Sequence, residues 1–121
     1  MGWFYDNRFE IHPNLEEVVV VERVYCLPVL HYSEEESDRF GFILRNLPGF
    51  LGNGITPFTQ CLPYWFGYEL SDNHEDESWI YLTASVEPSG LQVLGTLPFS
   101  NWLNWTQIFE EQAVHLPHFE V

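Results

Sequence analysis

The sequence contains no lysine. Its only permanent side-chain cations are Arg8, Arg23, Arg39 and Arg45, set against 18 acidic residues for a net charge of −14. Without lysine, Schiff-base chemistry on that residue is excluded. So large an acidic surplus repels a phosphate backbone and an anionic membrane face, so neither nucleic acid nor membrane is expected as a partner. Cysteine is scarce too. Cys26 and Cys61 are the only two, too few for a disulfide framework. No apolar run approaches the ~18 residues of a spanning helix. The first residues lack the charged and apolar regions of a secretory signal. These absences predict a cytoplasmic chain with reduced cysteines, each acting as a small buried hydrophobe.

Catalytic signatures are missing as well. There is no Gly-x-Ser-x-Gly, no zincin helix and no dinucleotide fingerprint. Pro48–Pro57 carries Gly49, Gly52, Asn53 and Gly54, but no lysine accompanies them, so it reads as a loop with an Asn-Gly turn and not as a phosphate cradle. The acidic run Asp72–Glu77 offers oxygen ligands without the spacing of a calcium loop, and reads as a solvated connection. His115 and His118 lie three apart, but Pro117 breaks the helix between them and no further zinc ligands are nominated. Nothing near Cys61 lowers its pKa. No cofactor, metal site or catalytic residue is therefore assigned, and a non-enzymatic role is favoured.

What the chain does have is periodicity. Ser78–Val86 alternates Ile80, Leu82, Ala84 and Val86 with Trp79, Tyr81, Thr83 and Ser85, the pattern of a half-buried strand. Met1–Pro13 reads as a short edge strand. Asn14–Glu17 has a capping-box pattern and predicts a helical turn running into a strand over Val18–Leu27. Ser33–Glu36 repeats that pattern and either seeds one or two turns to Arg39 or, being acid-rich, forms a solvated loop, after which Phe40–Arg45 reads as a strand. Phe58–Leu70 and Leu91–Leu97 give further strands. Asn101–Val114 is the clearest helix, with Ser100 as its cap. Trp102, Trp105, Phe109 and Ala113 form one stripe opposite Asn104, Gln107 and Glu111. Pro117 stops it by His115. The fold expected is α+β over residues 1–121 as a single domain. It is a mainly antiparallel, curved sheet of five or six strands, drawn as a half-open barrel, with the C-terminal amphipathic helix on one face.

The aromatic share, 17% of residues, exceeds what one face of a small sheet needs. Tyr64, Trp65, Phe66, Tyr68, Trp79, Tyr81, Trp102 and Trp105 are the candidates for an aromatic-lined ligand pocket or, with the edge strands, a homodimer interface. Asp72, Glu75, Asp76 and Glu77 are the candidate acidic recognition face. The leading functional expectation is a non-catalytic binding protein whose acidic face engages a basic protein partner, as an inhibitor or neutralising protein does. One alternative is an α+β barrel, binding or enzymatic, whose pocket takes a small cationic or amphipathic ligand. Another is a self-associating structural protein without a ligand.

Overall fold

Two largely apolar rows organise the fold. In strand β2 (Val18–Tyr25), Val19, Val21 and Tyr25 point to one side and are buried. In strand β6 (Gly90–Pro98), Leu91, Val93 and Leu97 do the same, and the register pairs Val19 with Leu97 and Tyr25 with Leu91. Period-two alternation thus gives this central antiparallel pair a shared face that is apolar except at Arg23. The computed structural model, which describes residues 2–53, 62–69 and 79–121, builds outward from it. Strand β1 (Phe4–Ile11) flanks β2. Strands β5 (Trp79–Glu87), β4 (Pro63–Glu69) and β3 (Phe50–Asn53) follow on the far side of β6. The order is β1-β2-β6-β5-β4-β3, antiparallel throughout. The sheet is open and does not close into a barrel, because its edges β1 and β3 do not pair with each other.

Both helices, α1 (Glu34–Arg45) and α2 (Phe99–Ala113), contribute to the one core on the β2–β6 face. Helix α2 buries the stripe read from the sequence: Trp102, Trp105, Phe109 and Ala113 are all buried, whereas Asn104, Gln107 and Glu111 are exposed. Its rings interlock. Trp105 stacks on Phe109 at 5.2 Å and meets Trp65 of β4 edge-on at 5.2 Å. The helix starts earlier than expected, with Pro98 and not Ser100 at the cap position. Proline offers no side-chain acceptor, and the Phe99 N–H instead donates to the Glu17 carbonyl.

Three local expectations are corrected. Phe40–Arg45 is not a strand but the second half of α1. Ser33 and Glu36 form a reciprocal capping box that commits the chain to a helix. Phe40, Ile43, Leu44 and Leu47 then bury a stripe of helical spacing. Asn14–Glu17 is a bend and turn, with Glu17 at φ 61°, and no helix forms before the valines of β2. Residues 50–53, expected within a loop, form β3. The Asn14 N–H donates to Nδ1 of buried His12.

Two glycines meet a backbone requirement. Gly90 follows the two-residue turn Pro88–Ser89 at φ 137°, where a Cβ would strike the Tyr25 carbonyl. Gly49 lies at φ 81° under the ring of Phe66, and its carbonyl accepts the Phe66 N–H at 3.0 Å. Phe66 sits at φ 70° in a bulge where two residues of β4 oppose one of β5. The bulge breaks the simple side-chain alternation along β4.

Truncating Trp105 to alanine removes the ring that bridges α2 to β4. We expect a loss of ~3–5 kcal/mol and a thermal midpoint lower by roughly 10 °C or more. A calorimetric melt within about 2 °C of wild type would contradict the placement of this ring in the core.

Candidate functional site

At the far end of the helix-facing row of β2, the apolar pattern is interrupted by Arg23. Its side chain is only 13% exposed, so its charge must be matched locally. Arg23 forks onto Asp6 of β1, with Nε and Nη2 donating at 2.7 and 3.0 Å. Nη1 donates to Oε2 of Glu110 on α2 at 3.0 Å. That same oxygen accepts the Tyr25 hydroxyl at 2.7 Å. The guanidinium carbon lies 4.0 Å from the centre of the Phe4 ring and 5.1 Å from that of Trp102. Desolvation works against the Arg23 charge, but Asp6 and Tyr25 outweigh it and hold its pKa above the ordinary guanidinium value. Burial, then the negative charge of Glu110, pushes the Tyr25 phenol well above its usual range. The cluster leaves the arginine's hydrogen-bonding edges occupied and serves as a structural clamp.

A surface cleft of about 480 Å³ opens between β1, the start of β2 and the first turn of α2. Phe9, Ile11, Val18, Val19, Phe99 and Leu103 line it, with Glu17 as its charged member. Phe9 meets Phe99 edge-on at 5.9 Å. A smaller one, about 360 Å³, lies among Cys26, Pro28, His31, Glu87 and Phe119. Burial pushes the Cys26 thiol up, away from nucleophilic character.

No protein-family model matches the chain, and neither does any curated protein or solved structure. Its site must be read from its own residues.

The eight aromatic candidates do not gather in one cavity. Trp65, Trp102 and Trp105 are buried together on the helix side of the sheet. Tyr64, Trp79 and Tyr81 project to the opposite side, since strand alternation and the Tyr64–Thr83 register place them away from Ile80 and Leu82. Phe66 covers Gly49, and Tyr68 is exposed beside the bulge. None of the eight lines either cleft. The indole nitrogens of Trp65, Trp79 and Trp105 are buried with no acceptor among the described residues.

Asp72, Glu75, Asp76 and Glu77 lie outside the described residues, as does Cys61. Among those described, no group of three or more His, Cys, Asp or Glu side chains is placed to hold a metal ion. His115 is exposed, whereas the His118 ring packs on Trp3 at 5.2 Å with Nδ1 2.8 Å from the Leu116 carbonyl. No helix among the described residues is long and apolar enough to cross a membrane.

No local pattern announces the cleft, because it joins the turn end of the β1–β2 hairpin to a helix start some 80 residues away. The clamp did leave a signal: an arginine set in the row Val19, Val21, Tyr25 requires a buried counter-charge.

The raised Tyr25 pKa fixes a pH dependence. Between its ordinary value near 10 and its higher folded value, the native chain keeps a proton that the unfolded chain has released. Stability is therefore full below about pH 10 and falls above it. Tyr32, pushed up to about 12 by burial and then by Glu36, acts in the same direction. Tyr25→Phe should lose about 1 kcal/mol at neutral pH and flatten the alkaline decline in the urea midpoint. An undiminished decline in that variant would contradict the assignment.

Proposed function

We propose that this is a non-catalytic binding protein whose acidic surface engages a basic partner. One observation carries the reading: three of the four arginines pair with acids within the molecule, leaving the acidic surplus uncompensated. Arg23 is clamped by Asp6 and Glu110, Arg8 pairs with Glu10 at 2.9 Å, and Arg39 lies 3.8 Å from Glu35. Meanwhile Glu34, Glu35 and Asp38 stand exposed on α1, and Glu16 and Glu17 on the turn before β2. Such a field steers a cationic partner and raises its rate of encounter.

The apolar cleft with Glu17 in its lining supports a second reading, in which a small cationic amphiphile occupies it. The two readings differ in the length of partner they need. A polycation engages acids over a wide surface, whereas an amphiphile needs the cleft alone.

A lysine-rich polypeptide serves as the test partner, with association followed by stopped flow. We expect a rate enhancement of ~10–10³ at low salt that collapses as ionic strength shortens the Debye length below about 10 Å. Neutralising Glu34, Glu35 and Asp38, or separately Asp72, Glu75, Asp76 and Glu77, to Gln or Asn locates the face by which set slows association more. Salt-insensitive association, or rates unchanged in both variants, would show that the acids serve solubility alone.

A further inference from the structure

We propose that two copies of this chain join edge to edge through β1, antiparallel, about a two-fold axis at Phe9. This requires no external cation and is independent of the basic-partner reading.

Hydrogen-bond parity comes first. The His12 N–H donates to the Val18 carbonyl. The closely bonded pairs of the β1–β2 ladder are therefore His12 with Val18, Glu10 with Val20 and Arg8 with Glu22. The intervening Phe9 and Ile11 turn their N–H and C=O groups outward, to an edge that no described strand covers. An antiparallel copy centred on Phe9 lets the two Phe9 residues exchange both backbone bonds, and Ile11 of each copy then lies opposite Asn7 of the other, at the bulge that ends the regular edge.

Side chains favour the same centre. Phe9, Ile11, Phe99 and Leu103 are 48%, 76%, 40% and 51% exposed, a contiguous apolar surface around the larger cleft. A two-fold axis normal to the sheet keeps both helix layers on one side. The Phe9 rings then oppose one another and the two apolar clefts adjoin.

Charge selects the register. With Phe9 on the axis, Arg8 of each copy stands opposite Glu10 of the other, both on the face away from the helices. Centring on Arg8 would oppose the two arginines, and centring on Glu10 would oppose the two glutamates. The alternation Arg8-Phe9-Glu10 is thus self-complementary about its middle residue, as a two-fold interface requires.

Sedimentation equilibrium tests this, with Arg8→Glu and Glu10→Arg variants. Both side chains are more than half exposed, so the fold should survive either change, as circular dichroism can verify. Native protein should sediment at twice the 14.3 kDa chain mass at micromolar concentration. Each variant alone places like charges opposite one another and should dimerise roughly tenfold more weakly. Mixed together they offer two acids against two cations, and native-like affinity should return as a heterodimer. A native monomer at these concentrations would overturn the proposal. So would variants that dimerise as the native chain does, or a mixture that recovers nothing.

Discussion

One buried cation holds three distant parts of this chain together. Of the four arginines, Arg23 is the one drawn largely out of water, while Arg8, Arg39 and Arg45 remain exposed. Its bonds reach Asp6, 17 residues back, and Glu110, 87 residues on. Those contacts fix β1 against β2 and set the rotation of α2 over the sheet. Flanking rings, Phe4 and Trp102, keep the guanidinium dry and strengthen each bond. Breaking such a pair leaves an uncompensated charge, which is why a partly buried clamp constrains the fold more than a surface pair would.

Packing on the other side of that clamp is apolar and ring-rich. Trp65, Trp102, Trp105 and Phe109 form a connected stack that ties the sheet to α2. Of the eight aromatics read as a candidate pocket, Trp65, Trp102 and Trp105 are core. The division of labour follows: a ring stack and aliphatic side chains hold the interior, one arginine orients it, and Glu16, Glu17, Glu34, Glu35 and Asp38 face solvent. At the edge around Phe9 and Ile11, surface hydrophobicity coincides with backbone groups that no described strand covers.

Much of the fold was legible because local periodicity and burial agree. Ile80, Leu82 and Ala84 alternate into the core, and Trp102, Trp105 and Phe109 recur at helical spacing. Where one stretch satisfies two periods, the sequence was ambiguous: Phe40, Phe42 and Leu44 alternate like a strand, yet Phe40, Ile43, Leu44 and Leu47 fit a helix. The Ser33–Glu36 capping box decides in favour of the helix, and Phe42 is left exposed. The bulge at Phe66 was invisible, since a positive φ at a non-glycine residue is imposed by packing over Gly49. The candidate site was less legible still. Which face Tyr64 or Tyr81 occupies depends on register, and the meeting of Arg23 with Glu110 depends on the rotation of α2 over the sheet. Neither is a local property.

The clamp is tested most directly by a double-mutant cycle in urea between Arg23→Met and Glu110→Gln. If Arg23 couples the sheet to α2, the two losses are strongly non-additive, with an interaction energy above about 1 kcal/mol. Simple additivity, within about 0.3 kcal/mol, would mean that the helix is held by its aromatic stripe alone and that the arginine orients nothing.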